Sequence, residues 1–314
     1  MDWKRYYEAE LRAPGSRERV TRWFLEADDP RVSAAIDRRA VLSFPHTFLS
    51  AAGPLQARVV TSLYRSGVEQ VIALGVLHSG SLPAYRLALD EEAPSVERDR
   101  AFSVVRGAFA LPGRSNNTPF GDVPLLPANG PIRTDDSGFL AAEFSLDTFL
   151  ATMALASRVL DRPPLPVLPL YVGMTRDPIR RSFDVAHDLA RWLRGRLGPR
   201  TALVTTGDLV HMGAAYGWSS EELDAVSGNG SAGHVLRAQA ERMLGQAFGE
   251  DPEKAYQANL RELRNDQREI LPVVAEYIGS GAAHEMISFD LSDYAPIFDV
   301  EPPCLVASAL VAYG

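Results

Sequence analysis

The amino-acid sequence predicts an α/β fold that is organised as one domain around a central, largely parallel sheet. Several short apolar runs are continuous rather than alternating, which is typical of strands buried on both faces of a sheet. These runs are separated by segments of helical periodicity, at the spacing of parallel βαβ units. No internal repeat or low-complexity linker divides the 314 residues. We therefore expect a helical arm over residues 1–40 and one α/β domain over residues 41–314.

The first elements follow from local patterns. Charged residues dominate residues 1–40, with aromatic and leucine side chains between them, which predicts amphipathic helices that pack on the main domain and carry no chemistry. The main domain then begins with a strand over residues 41–44 and a helix over residues 54–64, which has Pro54 in its first turn. A second strand over residues 71–77 completes a parallel βαβ unit.

The later segments continue this alternation. Residues 79–142 are rich in Pro, Gly, Asn and Asp and predict only a strand at residues 102–105 and a long loop at residues 111–122, of the kind that often lines a site. Helices are predicted over residues 144–155, 184–197, 232–247, 253–263 and 268–278. Buried strands are predicted over residues 167–172, 202–206, 286–289 and 304–313.

Composition favours a small-molecule ligand. The chain is 46% hydrophobic and 23% charged, and its net charge of −8 gives no attraction for nucleic acid or anionic membranes. The single cysteine, Cys304, excludes an intramolecular disulfide and a cysteine-only zinc site. The first residues lack the apolar core of a signal peptide, and the apolar runs are far shorter than the roughly 20 residues that span a bilayer. We expect a cytoplasmic protein without membrane or nucleic-acid partners.

Three of the six histidines stand where a predicted strand gives way to a loop, namely His46, His78 and His211. The carboxyl ends of parallel strands share one edge of the sheet, where open α/β sheets bind ligands. Histidines that converge there can bind a divalent metal, because neutral imidazole suits iron, zinc and copper. A structural role for these three is the alternative. Structural or surface roles are expected for the remaining histidines: His187, His234 and His284.

Other motifs give no competing function. The sequence has no P-loop, no dinucleotide-binding glycine motif after a strand, no H-E-x-x-H and no G-x-S-x-G. The glycine-rich residues 228–233 follow no predicted strand, which favours a flexible connection over a phosphate site. Cys304 lies in a predicted apolar strand, where a free thiol is usually inert.

Six short segments follow one another in an order typical of one family. Residues 45–53, which contain His46, resemble P-H-A-G-x-x-x-S-G, and residues 74–78, which end at His78, resemble a strand ending in G-P-S-H. The others are residues 118–124 (T-P-L-G-D-L-P), 143–147 (E-H-S-L-E), 205–213 (S-S-D-L-S-H-W-G) and the closing pair 292–294 and 307–313. Through these segments, residues 41–314 resemble the Memo-like proteins, mediators of cell motility and their prokaryotic relatives.

The resemblance implies the fold of class III extradiol dioxygenases, a mixed, largely parallel sheet with helices on both faces. It also implies that His46 and His78 are metal ligands. The third ligand is a cysteine in Memo-like proteins and a glutamate in the ring-cleaving dioxygenases. The segment that overlays it here places Asp266 at that position, and a shifted register would select Asn265 or Glu269. A carboxylate restores a 2-His-1-carboxylate set, which favours Fe(II) and O₂ over a thiolate-biased copper site.

The predicted function is a non-haem Fe(II)-dependent oxygenase, similar to extradiol dioxygenases, that acts on a small chelating aromatic substrate. His211 is the expected general base and then acid, because imidazole titrates near neutral pH. Asp208 either orients a ligand or His211, or caps a helix. Phe144 stands where the family has histidine, so the resemblance implies no metal-supporting or substrate-binding role at that position.

Several alternatives accompany this prediction. Asn116, Asn117 and Thr118 are expected to contact the substrate from the long loop, unless they only form a turn. Zinc or copper could replace iron, and the protein could be a zinc-dependent hydrolase that activates water. It could also be a non-catalytic metal-binding or interaction protein of the Memo type. The expected partners are a small-molecule substrate and O₂, and a homodimer is compatible with the sequence.

Overall fold

The structure is a computed structural model of the chain. It describes residues 2–46, 48–78, 82–135, 138–227, 231–249, 251–279 and 281–314. Half of the predicted glycine-rich connection, residues 228–230, therefore lies outside the described residues. The rest forms an α/β fold with a large mixed sheet and flanking helices, which confirms the predicted fold class.

The helices include three that precede the first strand and confirm the helical character of the N-terminal arm. Asp2 and Asp29 cap the first and third of these, each accepting a hydrogen bond from a backbone N–H of the first turn. No helix in the described parts of the chain combines the length and apolar content that a membrane span requires. The α-helices are α1 (Trp3–Arg12), α2 (Ser16–Leu25), α3 (Pro30–Asp37), α4 (Leu49–Arg65), α5 (Pro83–Leu89), α6 (Ser95–Val105), α7 (Asp147–Val159), α8 (Asp184–Arg196), α9 (Ser220–Ser227), α10 (Ala232–Ala247), α11 (Pro252–Arg261), α12 (Leu271–Ile278) and α13 (Ala295–Phe298).

Within the described residues, nine strands form one sheet in the order β10–β11–β1–β8–β2–β7–β3–β6, and β9 pairs with β11 beside this path. A separate hairpin consists of β4 and β5. The strands are β1 (Val41–Phe44), β2 (Gln70–Val76), β3 (Ala108–Ala110), β4 (Ser115–Thr118), β5 (Gly121–Pro124), β6 (Arg133–Thr134), β7 (Val167–Val172), β8 (Thr201–Thr206), β9 (His211–Gly213), β10 (His284–Asp293) and β11 (Cys304–Tyr313).

The centre of the sheet is parallel. β1, β8, β2 and β7 run in one direction, whereas β11 pairs with β1 antiparallel. The two strands of the predicted βαβ unit, β1 and β2, are parallel as expected, but β8 lies between them. The carboxyl ends of β1, β8 and β2 therefore lie side by side at one edge.

Helices cover both faces of this sheet, which explains why its strands read as continuous apolar runs. In β2, Ile72 and Leu74 contact one core, which also contains residues of α8, α10 and α12. Their neighbours Val71 and Ala73 contact a second core, formed with α2, α4 and α7. Alternate side chains thus enter two different cores, and residues 71–76 of β2 include no polar side chain.

Two predictions in the middle of the chain are corrected. Residues 102–105 form the end of α6 rather than a strand. Phe102 and Val105 are buried while Val104 is exposed, which is the spacing of a helix. A run of four residues is too short to distinguish this spacing from that of a strand. The predicted loop at residues 111–122 contains β4 and the start of β5, because Asn117 and Thr118 bond across a tight hairpin.

Candidate metal centre

Three neighbouring strands are each followed, two residues later, by a side chain that can bind a metal. His46 follows β1, Asp208 follows β8 and His78 follows β2. Since these strands are adjacent and parallel, the three side chains meet at the carboxyl edge of the sheet. His211, the first residue of β9, and Asp266, the first residue of a 3₁₀ turn (Asp266–Glu269), reach the same place.

The Asp266 carboxylate lies at the centre of the three histidines. Its Oδ2 atom is 3.3 Å from His46 Nε2, 3.5 Å from His211 Nε2 and 4.0 Å from His78 Nε2. The ligand atoms of His46, His78 and Asp266 all lie within 4.8 Å of one another, and those of Asp208, His211 and Asp266 meet the same limit. Metal–ligand bonds of about 2.1 Å separate neighbouring ligand atoms by about 3–4 Å, so small adjustments suffice for one ion.

Glu143 orients His78. The Nδ1 atom of His78 is 2.9 Å from Glu143 Oε1, and the His78 backbone N–H donates to Oε2 at 2.7 Å. Burial of the Glu143 carboxyl favours its neutral form, but the neighbouring His78 outweighs this and lowers the pKa to about 2. The ionised carboxylate can only accept, so Nδ1 carries the proton and Nε2 presents its lone pair to the cluster.

The ring of His211 also presents Nε2 to the cluster, but a backbone carbonyl orients it instead of a carboxylate. Its Nδ1 donates to the backbone carbonyl of Arg264 at 2.8 Å, which leaves the lone pair on Nε2. Two further hydrogen bonds hold the His211 backbone: Trp218 Nε1 donates to the His211 carbonyl at 2.7 Å, and the His211 N–H donates to the carbonyl of Leu263 at 2.9 Å.

His46 and Asp208 form the most deeply buried part of the cluster. The His46 backbone N–H donates to Asp208 Oδ1 at 3.3 Å. Burial disfavours a charged His46 ring, but the carboxylates of Asp208 and Asp266 outweigh it and raise the pKa of His46 to about 9. Burial, together with the Asp266 carboxylate, raises the pKa of Asp208. The chain leads from Asp208 into β9, so a helix-capping role for Asp208 is wrong.

The turn that carries Asp266 is fixed to the sheet by the next residue. Gln267 Nε2 donates to Ser43 Oγ at 2.8 Å and to the Gly207 carbonyl at 2.7 Å. A Cβ atom on Gly207 would lie only 2.4 Å from Gln267 Cγ, so glycine is required for this close approach. The Asp266 N–H also donates to the Asp208 carbonyl at 3.1 Å, which ties the two carboxylate-bearing segments together.

Among the three residues considered for the third ligand, the structure places Asp266 in the cluster. The side chain of Asn265 caps the 3₁₀ turn by accepting from the Gln267 N–H. Glu269 is buried elsewhere, where its carboxylate accepts hydrogen bonds from the hydroxyls of Tyr85 and Tyr256 at 2.7 and 2.6 Å. The other histidines are also apart from the cluster: His284 Nε2 lies 2.9 Å from Glu241, and His187 lies 3.5 Å from Glu276.

The cluster opens into a cavity of about 220 Å³ with a mostly aromatic wall. Phe144 stacks on His78 with ring centroids 4.2 Å apart. This position, where the Memo-like segment has histidine, therefore packs against a histidine of the cluster. Two wall residues, Trp3 and Tyr7, come from the N-terminal arm, to which the sequence assigned no role. The wall consists of Trp3, Tyr7, Phe144, Tyr216, Arg264, Tyr294, Phe298 and Val306.

The predicted substrate contacts of Asn116, Asn117 and Thr118 gain no support from this geometry. All three lie in β4, and none of them belongs to the described residues that line the cavity. Asn117 Nδ2 donates to Asp122 Oδ1 at 2.9 Å and Thr118 Oγ1 donates to the Gly121 carbonyl, both within the hairpin. Such contacts are expected if these residues only form a turn.

Comparison with protein-family models finds no family that matches the chain. Comparison with curated proteins finds no similar sequence either. The resemblance to the Memo-like family therefore stays a prediction that rests on the short segments described above.

Proposed function

We propose that this protein is a non-haem Fe(II)-dependent oxygenase, of the extradiol dioxygenase kind, that acts on a small aromatic substrate with two adjacent metal-binding groups. The observation that carries the proposal is the convergence of His46, His78 and Asp266 at one sheet edge, beside an aromatic cavity. Two imidazoles and one carboxylate are the set that non-haem Fe(II) oxygenases use, because it leaves positions open for O₂ and substrate.

The residues present fit such an ion. The hydrogen bond from His78 to Glu143 leaves Nε2 as an acceptor, and the buried His46 stands beside two carboxylates that attract positive charge. A bound divalent cation would take the place of the proton that these carboxylates now hold on His46. Fe(II) bound there supplies the redox chemistry with O₂ that the side chains themselves lack.

His211 is the residue that would move a proton. Its Nε2 atom is a proton acceptor in a side chain that lines the cavity, 3.5 Å from Asp266 Oδ2 and 3.9 Å from Asp208 Oδ2. It can take a proton from a substrate hydroxyl and return it later, with Asp208 stabilising the charged ring. The aromatic wall binds the substrate ring and excludes water.

The test is oxygen uptake by anaerobically loaded protein. The chain is loaded with Fe(II) or with Zn(II), and metal content is measured before catechol or 2-aminophenol is added with air. We expect one Fe(II) per chain and oxygen uptake that depends on substrate in the iron form only. Tight zinc binding with hydrolysis of ester or amide substrates would favour a zinc hydrolase. Metal binding without either activity would favour the non-catalytic alternative.

The site itself is tested by matched histidine variants. His46→Gln and His78→Gln should each lose stoichiometric iron, because a 2-His-1-carboxylate site does not hold its ion with two ligands. His284→Gln is the control, since His284 pairs with Glu241 away from the cavity. Full iron content in both site variants, with an unchanged melting temperature, would refute the proposed ligands.

A further inference from the structure

A second cavity, of about 380 Å³, has no described lining residue in common with the cavity at the metal centre. One face of α11 forms part of its wall, and residues 89–98 form another part. The third part is the segment that leaves the carboxyl end of β7, which is parallel to β2. Since open α/β sheets bind ligands at the carboxyl ends of their strands, this second cavity is also placed where a ligand is expected.

The described residues that line the second cavity carry an excess of positive charge. Four of them are arginines and two are glutamates, although the whole chain has a net charge of −8. The cavity therefore attracts anions against the field of the rest of the molecule. The charged lining residues are Arg98, Arg176, Arg181, Arg261, Glu91 and Glu253.

Two of these charges balance each other. Arg176 Nε lies 2.6 Å from Glu253 Oε2, and Arg176 Nη2 lies 2.7 Å from Glu253 Oε1, which is a bidentate pair. The Arg176 guanidinium also stacks over Tyr256, with its central carbon 5.2 Å from the ring centroid. Gln257 Nε2 donates to Glu253 Oε1 at 3.0 Å. The Glu253 carboxylate is thus already occupied by donors of the cavity wall.

The other three arginines have no such partner. In the part of the chain that the structure describes, no ion pair within 4.0 Å involves Arg98, Arg181 or Arg261. Arg98 Nε donates to the Ala88 carbonyl at 3.3 Å, which holds this guanidinium against the wall by one edge. Three guanidinium groups therefore share one cavity with a single remaining carboxylate, that of Glu91.

A fixed turn carries Arg181. Asp177 Oδ1 accepts from the backbone N–H groups of Ile179 at 2.8 Å and Arg180 at 2.9 Å. The Asp177 carbonyl accepts from the Arg181 N–H at 2.8 Å, and the Asp177 N–H donates to the Ser182 carbonyl at 2.8 Å. Within this turn Arg181 has φ = 57°, in the left-handed region that non-glycine residues rarely adopt. The turn thus fixes the backbone from which this arginine reaches the cavity.

This chemistry matches a phosphoryl group. A guanidinium offers parallel N–H donors that fit two phosphate oxygens, and such charge-assisted bonds are among the strongest hydrogen bonds in proteins. An organic phosphate carries roughly −1.5 to −2 charges at pH 7, close to the excess of four positive over two negative side chains. Leu89, Pro178 and Leu260 complete the wall with apolar surface for the organic part of such a ligand.

We propose that the second cavity binds a small organic phosphate, whose phosphoryl group contacts Arg98, Arg181 and Arg261. This site goes beyond the proposed oxygenase function and does not depend on it, because none of the proposed metal ligands lines the second cavity.

Calorimetry on the full chain tests the proposal. The protein is first dialysed against a chelator, so that phosphate cannot bind through a metal ion. It is then titrated with inorganic phosphate, phenyl phosphate and phenol. We expect phenyl phosphate to bind at least about 10-fold more tightly than phenol, because only the phosphate forms hydrogen bonds between charged groups. Phenyl phosphate should also bind more tightly than inorganic phosphate, because its ring contacts the apolar wall. Added sodium chloride should weaken the binding of both phosphates.

Matched variants assign the binding to the second cavity. Arg98→Gln and Arg181→Gln should each weaken phenyl phosphate binding about 10- to 100-fold, the range of a hydrogen bond between charged groups. Glu91→Gln should strengthen it, because this change removes a carboxylate from the wall. Arg191→Gln is the control, since it removes the same charge at an exposed position that pairs with Asp188 within α8.

The outcomes decide the proposal independently of iron or oxygen chemistry. Phenyl phosphate that does not bind, that binds no more tightly than phenol, or that binds equally well to Arg98→Gln and Arg181→Gln overturns it. A loss of affinity in these two variants and not in Arg191→Gln supports it. If either site variant has a lowered melting temperature, Arg261→Gln replaces it, because Arg261 is exposed at the end of α11.

Discussion

The three histidines of the cluster differ in what holds their second ring nitrogen. A carboxylate, Glu143, holds His78, and a backbone carbonyl, that of Arg264, holds His211. In the described parts of the chain no hydrogen-bond partner reaches Nδ1 of His46, whose ring is positioned by burial and by Asp266. A carboxylate makes an imidazole a stronger ligand than a carbonyl does, so His78 is the histidine best prepared to bind a cation.

This difference gives a prediction for Glu143→Gln. The glutamine amide removes the negative charge next to His78 Nδ1. It also brings an NH₂ group towards backbone N–H groups that now donate to the Glu143 carboxylate. Iron affinity should therefore fall about 10- to 100-fold. Affinity is measured by chelator competition on anaerobic protein. Glu241→Gln is the control, because Glu241 pairs with His284 outside the site. An affinity within twofold of wild type would mean that Glu143 supports the fold and not the metal.

His211→Gln separates a proton-transfer role from a ligand role. We expect normal iron content and a turnover rate that falls about 10²- to 10⁴-fold, because the general base is lost while His46, His78 and Asp266 remain. Iron content is measured by metal analysis and turnover by oxygen uptake. Loss of iron would instead make His211 a ligand, which its 3.5 Å distance to Asp266 permits.

At the scale of elements, helix α1 forms part of the cavity wall and is joined to α7 by a partly buried ion pair. Lys4 Nζ lies 2.6 Å from Asp147 Oδ2 and donates to the Glu143 carbonyl at 2.8 Å. On the same helix, Trp3 contacts Phe298 edge to face at 5.3 Å. The arm is therefore part of the wall of the site and not only a peripheral support.

The ion pair predicts a pH dependence of stability. Burial raises the pKa of Asp147 to about 6, despite the opposing attraction of Lys4. Between about pH 4 and 6 the folded state then binds a proton that the unfolded state releases, so this group's contribution to the free energy of unfolding falls as pH rises. The difference in free energy of unfolding between Asp147→Asn and wild type should therefore shift by about 2 kcal/mol in favour of the variant as pH rises from about 4.5 to about 7.

Urea unfolding at several pH values measures this difference. Asp188→Asn is the control, because Asp188 is exposed and pairs with Arg191 within α8. The opposite slope, with the Asp147 variant losing stability as pH rises, would show that Lys4 outweighs the burial of the carboxylate.

Predictability from sequence also differs among elements. The strands β1, β2, β7 and β8 could be predicted because each is a continuous apolar run, and the parallel direction of β1 and β2 follows from the helix between them, but the position of β8 between them does not. The strand predicted at residues 102–105 is wrong, because four residues are too few to distinguish helical from strand periodicity. The role of α1 could not be predicted, because the contact of Trp3 with Phe298 joins parts of the chain that no local pattern relates.

For the whole molecule, the site consists of residues that lie far apart in the sequence. His46 and His78 could be predicted from strand ends alone, since parallel strands share an edge. No strand leads directly to Asp266, and only the resemblance to the Memo-like family pointed to it. The cavity wall forms where the arm, the segment before Asp266 and the last helix pack together, and no local sequence pattern predicts that packing.

The contacts of Gln267 have a consequence for how an ion would enter. This amide fastens the Asp266 turn to β1 and β8 before any ligand is present. The side chains that we propose as ligands are therefore already held close together, so binding of a cation would not need the folding of a loop. If a cation binds there, we expect a frame held in this way to select for ions of one size and coordination geometry.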